Sequence, residues 1–149
     1  MHGKIWDVLQ TKGRTVHTIL PGATVREAVD EMSRHQVGAL VVMDRARPVG
    51  MFGERDVLWR IVHERRAVET RVSEVMTRAL VLVHPDMPVR EAMHVMTERR
   101  VRHLPVLEHA ELVGLVSIGD LTKWMVRDLE IYADDLARYI HGPHVAPLM

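Results

Sequence analysis

Two aspartates stand where a carboxylate can do binding work. Asp56 closes Gly53-Glu54-Arg55-Asp56 and Asp120 closes Ser117-Ile118-Gly119-Asp120; each quartet follows an apolar run, and the two lie 64 residues apart. S-x-x-D is a capping-box form, in which hydroxyl and carboxylate satisfy free amides of a helix's first turn. The helix dipole favours an acid there whatever else it does. The same carboxylate can accept from both hydroxyls of a vicinal diol through charge-assisted bonds. For Ser117 both readings stay open. Asp56 keeps its acid beside Gly53, so it does not depend on a hydroxyl partner.

Other chemistries are poorly served. The chain has no Cys, which removes disulfides, thiolate nucleophiles and zinc knuckles. Its 10 His include no HExxH pair. His35 and His94 fall on predicted helices with no second ligand at i+4, so no metal site is expected. The 20 basic and 20 acidic residues cancel, which argues against a general nucleic-acid binder. Of the basic residues 17 are Arg, which fits phosphate recognition and ion pairing but also a GC-rich genome. No stretch is apolar enough to span a bilayer, and MHGKIWDVLQ lacks the apolar region of a signal peptide, so the expectation is a cytoplasmic protein with no membrane partner.

The elements that must position these aspartates come in duplicate. Residues 21–56 and 85–120 align without a gap and share 13 identities in 36 positions. A unit of roughly 60 residues buries only about 60% of its unfolded surface and is marginal alone. Two such units packed as one pseudo-symmetric body are therefore expected, not two beads. Val16–Leu20, stopped by Pro21-Gly22, and Leu80–Val83, before Pro85, read as short strands. Thr24-Val25-Arg26-Glu27 has capping-box form, and Val25, Ala28, Val29 and Met32 fall on one helical face. Pro88 replaces the Thr in the second copy, where Val89, Ala92, Met93 and Met96 rebuild that face.

Two strands follow in each copy, Ala39–Met43 with Val49–Gly53 and His103–Leu107 with Leu112–Ser117. Their continuous Val and Leu imply cover on both faces. A helix from Glu54 to Arg66 closes the first unit, and a longer one from Ile118 towards Ile140, stopped by His141-Gly142-Pro143, closes the second. The order is β-α-β-β-α twice, an α/β (or α+β) fold. Expected segments are a lead-in at 1–15, repeat 1 at 16–66, a linker and lead-in helix at 67–79, repeat 2 at 80–140 and a tail at 141–149. IWDVLQ near the start and VSEVMT at 72–77 share a pattern, as if each repeat carried its own lead-in.

The two copies resemble CBS domains, the cystathionine-β-synthase-type repeats that pair as a Bateman module. The matching pieces are V-R-E-A at 25–28 and 89–92, VRHLPV at 101–106, and GMFGERD at 50–56 with GLVSIGD at 114–120. The resemblance covers roughly residues 5–140, and no catalytic domain is recognised beside it, so a free-standing pair is expected. It implies a regulatory module without catalysis. Adenosine ligands (AMP, ADP, ATP, NAD or S-adenosylmethionine) would lie in clefts between the repeats, and a homodimer is common.

Carried onto this chain, the resemblance makes Asp56 and Asp120 ribose ligands, with Ser117 and Gly53 beside them. Arg55, Arg102 and His103 become candidates for phosphate. Gly38 and Ala39 stand where the second copy has Arg102 and His103, so the clefts are expected to be unequal, with NAD an option for one. Gly53, where the family usually has Ser or Thr, either loses a contact or makes room. An adenine ring needs an apolar slot with backbone groups at its edge; Ile19, Val83, Val42, Pro105, Phe52 and Val116 are candidates, each also a natural core residue. A rival reading is an interaction protein with vestigial clefts, binding an unknown protein target. An enzyme is not expected, because no activated nucleophile or acid–base pair stands outside these positions.

Overall fold

Local sequence preferences build each unit in turn. The computed structural model describes residues 2–145, with side chains as far as His141. Helix α1 is Ile5–Lys12, and strand β1 is only Thr18–Ile19. In α2, Val25–His35, the Thr24 hydroxyl accepts the Glu27 amide at 3.1 Å, while Val25, Ala28 and Met32 are buried. Strands β2, Ala39–Asp44, and β3, Arg47–Gly53, form an antiparallel hairpin, with β1 parallel on β2. The second unit repeats this with α5, Val89–Arg99, and the hairpin of β4, His103–Glu108, and β5, Glu111–Ser117. The bulge recurs at the same place in both hairpins, between Val42 and Met43 and between Val106 and Leu107. Sheets β1-β2-β3 and β4-β5 with their helices give the expected α/β architecture.

Three elements differ from expectation. Leu80–Val83 forms no strand; Val83 alone bridges Val106, donating to the Pro105 carbonyl at 3.0 Å. Its counterpart β1 is itself two residues long, so a sheet edge backed by Pro21 or Pro85 sustains little pairing. The helix expected from Glu54 to Arg66 is a single α turn, α3 (Glu54–Asp56), running into a π-helix at Val57–Val62. There the His63 amide donates to Leu58 at 3.0 Å and Arg66 to Ile61 at 2.9 Å, both spaced five residues apart. Helix α6, Ile118–Val145, continues past Gly142-Pro143, although an interior proline removes a donor and crowds the carbonyl four residues back. The remainder of the expected tail, 146–149, lies outside the described residues.

The lead-ins are exchanged. α4, Val72–Val75, precedes the second repeat, yet Val72, Val75 and Met76 join the first repeat's core with Leu40, Val42 and Phe52. Ile5, Val8 and Leu9 of α1 join the second repeat's core with Leu104, Val106, Val116 and Leu121. The bonds match one for one. Ile5 donates to Met87 and Trp6 to Pro85, both at 2.9 Å, as Val72 donates to Ala23 at 2.8 Å and Ser73 to Pro21 at 2.9 Å. Each unit thus completes its core with a segment of the other, which answers the marginal size of a lone repeat.

Candidate functional site

The exchange brings the two handovers from hairpin to helix against segments from the opposite repeat. The Thr77 and Met51 amides and carbonyls bond reciprocally at 2.8 and 2.9 Å, laying the stretch after α4 along β3. Thr77 thereby reaches Asp56: its hydroxyl donates to Asp56 Oδ1 at 3.1 Å, while the Gly53 amide donates to Oδ2 at 2.9 Å. Arg60 Nε stands 4.0 Å from Oδ1. At the other handover the Ser117 amide donates to Asp120 Oδ2 at 2.8 Å, and the Asp120 amide donates to the Ser117 hydroxyl at 3.1 Å. The capping box expected at Ser117 is therefore fully formed.

Two hollows flank these carboxylates. The larger, about 460 Å³, is walled by Gly53–Asp56, Thr77, Ala79–Val81, Arg100–His103 and Ser117–Gly119, with Gly38, Ala39 and Met51. The smaller, about 210 Å³, is walled by Lys12, Thr15, His17, Val37–Ala39, His103, Leu115, Ser117 and Asp120. The 64-residue offset relates their walls: Thr15, His17, Gly38, Ala39 and Ser117 in one correspond to Ala79, Val81, Arg102, His103 and Gly53 in the other. These are two versions of one cleft. Asp56 belongs to the larger and Asp120 to the smaller.

Their electrostatics differ. Burial raises the Asp56 pKa above the ordinary carboxylate value and outweighs the bonds from Gly53 and Thr77 and the charge of Arg60. Burial also pushes Asp120 upward, but the Lys12 ammonium and the Ser117 amide together carry it below the ordinary value. His103, between the clefts, is held low by burial, partly opposed by the charge of Asp120. Its neutral form is thereby favoured. His17 stacks on His35 with ring centroids 3.9 Å apart, fixing one wall of the smaller cleft.

Of the residues predicted from sequence, Gly53, Asp56, Arg55, Arg102, His103 and Ser117 meet in the larger cleft. The adenine candidates do not. Phe52, Val42 and Val116 are fully buried core, with Val83 and Pro105 buried beside them. Ile19 faces a separate groove with Glu27 and Asp30. Alternate residues of a strand point to opposite faces: Val42, Phe52 and Val116 point into the cores, Pro105 lies on the face opposite Leu104 and Val106, and the apolar wall of the cleft comes from Met51, Leu80, Val81 and Ile118 instead. A Cβ on Gly53 would lie 2.8 Å from the Gly38 carbonyl, so close backbone approach accounts for the glycine there. Thr77 and Lys12 were missed, because their partners lie 21 and 108 residues away and no local pattern marks them. Among the described residues no group of three or more His, Asp or Glu is arranged to hold a metal ion. No described helix is long and apolar enough to cross a membrane.

Two β-α-β-β-α units that exchange lead-ins and face each other across related clefts define a tandem α/β pair. A family model described as CBS domain matches residues 9–63 and 72–127, and the chain belongs to that family as a CBS-domain pair. It is 35% identical over 148 residues to the mitochondrial CBS domain-containing protein CBSX3 of Arabidopsis thaliana, covering 93% of this chain and 72% of that one. With CBS domain-containing protein YhcV of Bacillus subtilis (strain 168) it shares 37% identity over 114 residues, 76% of this chain and 81% of that one. The crystal structure of the CBS-domain protein NE2398 superposes with a TM-score of 0.80 at 37% identity, covering 85% of this chain and 99% of that one. The protein PAE2072 of Pyrobaculum aerophilum, solved in complex with AMP, superposes with a TM-score of 0.72 at 29% identity, covering 79% of this chain and 89% of that one.

Proposed function

We propose that this protein is a regulatory module without catalysis that senses adenine nucleotides, AMP, ADP or ATP, in the larger cleft. The observation that carries the reading is the Asp56 carboxylate beside a hollow of about 460 Å³ that Arg55, Arg102 and His103 also line. A volume of that size falls in the range of small-molecule sites, roughly 300–1,000 Å³. Asp56 accepts the ribose hydroxyls, with the Thr77 hydroxyl turning to keep a bond. The guanidinium groups of Arg55 and Arg102 compensate phosphate charge. Met51, Val81 and Ile118 offer apolar cover for adenine. That a relative was solved in complex with AMP supports the ligand class.

Because the larger cleft draws walls from both repeats, a bound nucleotide ties them together. It biases the molecule only to the extent that it prefers one packing of the repeats over another. A ligand at 100 times its Kd stabilises by about 2.7 kcal/mol, or about 5–10 °C of Tm for a chain this size. AMP, ADP, ATP and the bulkier NAD are titrated in parallel by differential scanning fluorimetry. The expected result is a rise of that size with at least one mononucleotide and none with Asp56→Ala. Unchanged melting with all four rejects the sensor. A homodimer is part of this reading, supported by the exposed Leu129, Tyr132, Leu136 and Tyr139 along α6. The same stripe favours the rival reading of a scaffold for an unknown protein target. A partner that binds equally with and without nucleotide, and binds Asp56→Ala as well as the parent protein, decides for the scaffold.

A further inference from the structure

The two clefts share a plan, but only in the smaller does a cation hydrogen-bond the aspartate directly. Lys12 ends α1, the lead-in that packs on the second repeat. From there its ammonium donates to Asp120 Oδ2 at 2.6 Å and to the Leu115 carbonyl at 2.8 Å. Oδ2 already accepts the Ser117 amide. In the larger cleft the corresponding carboxylate takes the Thr77 hydroxyl instead. The chemistry of the two donors is not equivalent. A hydroxyl donates and accepts, so Thr77 can turn and join a chain of hydroxyls. An ammonium can only donate, and together with the Ser117 amide it occupies Oδ2, so a vicinal diol arriving at Asp120 finds one of the two carboxylate oxygens already taken. To grip the carboxylate with both hydroxyls, a ligand must break the ammonium's bond to Asp120. The space agrees: about 210 Å³ lies below the usual range for small-molecule sites, and the larger cleft lies within it.

We propose that Lys12 is a tethered occupant of the smaller cleft, which keeps Asp120 from ligand diols and limits each chain to one adenosine ligand, held at Asp56. The proposal rests on the nucleotide reading above and adds the residue that sets its stoichiometry. Lys12→Met keeps the aliphatic stem over the cleft wall and removes the donors; Lys12→Arg keeps a cation.

AMP is titrated into the full chain, and bound molecules per chain are counted by native mass spectrometry and isothermal titration calorimetry. One AMP is expected for the parent protein and for Lys12→Arg, two for Lys12→Met, and one again for Lys12→Met with Asp120→Ala. The first AMP reports that the fold is intact; if Lys12→Met loses it, Lys12→Gln is read in its place. Two AMP on the parent protein, or one on every folded Lys12 variant, overturns the proposal while leaving the nucleotide reading standing. Where AMP does not bind, the count is repeated with ADP and ATP, and no nucleotide on any protein removes both.

Discussion

At the scale of single residues, Asp56 and Asp120 are the same amino acid at matching positions with opposite shifts. Burial leads at Asp56 and outweighs the neutral donors Gly53 and Thr77 and the more distant Arg60, so its pKa rises. At Asp120 burial is overcome chiefly by the Lys12 ammonium, so its pKa falls. The consequences for stability have opposite signs. A raised pKa means that Asp56 contributes stability below its unfolded pKa, lost as pH rises through the folded one. The depressed Asp120 contributes above its unfolded pKa and loses that contribution as pH falls through the folded one. Asp56→Asn is therefore expected to flatten the loss of stability with rising pH just above the ordinary carboxylate range. Asp120→Asn is expected to flatten the loss on acidification below it, at a cost near neutral pH of at most about 1 kcal/mol, since the ion pair is partly solvated. Urea melts of the two variants across the acid range check both signs. AMP affinity should likewise begin to fall, on acidification, above the pH at which an unshifted aspartate titrates, because the ribose hydroxyls need an ionised acceptor. Calorimetry from pH 7 downward measures it.

At the scale of elements, the exchanged lead-ins depend on two glycines at matching positions in β3 and β5. A Cβ at Gly114 would lie 2.6 and 2.7 Å from the two Leu9 methyls and 3.2 Å from their shared carbon. At Gly50 it would lie 2.6 Å from Met76 Sδ and 3.0 Å from the Thr77 carbonyl. Methionine is unbranched and can swing its sulfur aside, whereas Leu9 is fully buried and branched. Gly114→Ala is thus expected to cost about 1–3 kcal/mol, as overpacked cores do, and Gly50→Ala less. Gly50→Ala has a second effect, because its neighbour Met51 bridges Thr77. Nucleotide binding at Asp56 should therefore weaken by more than the stability loss accounts for. Denaturant melts and AMP titrations of the two variants test this ordering. Equal costs would show that the lead-ins are not held by these contacts.

At the scale of the whole molecule, α6 extends well beyond the second repeat's core. Leu121 is its fully buried anchor, while Leu129, Tyr132, Leu136 and Tyr139 recur at spacings of three and four and are 42–87% exposed. Spacings of three and four are those by which packed helices meet, and the described chain leaves this stripe uncovered. Leu129→Lys with Leu136→Lys should convert a dimer to a monomer by size-exclusion chromatography with light scattering. A monomeric parent protein, or a dimer that survives both lysines, removes α6 from the interface. The clefts lie at the hairpin-to-helix handovers, at the start of α6 and away from this stripe, so the monomer should keep its AMP site.

The sequence by itself determined the duplication, the β-α-β-β-α order and the two acidic handovers, because each is written in local pattern: a 64-residue offset, apolar runs of strand and helix period, and caps at fixed spacing. Its reach ended where partners are distant in the chain. It assigned each lead-in to its own repeat and put adenine against core strands. It had no signal for Thr77 on Asp56 or Lys12 on Asp120. Only the tertiary structure decided these, since a unit of roughly 60 residues is marginal alone and completes its core with the opposite unit's lead-in. That crossing, which no periodicity records, selects the side chain that meets each carboxylate.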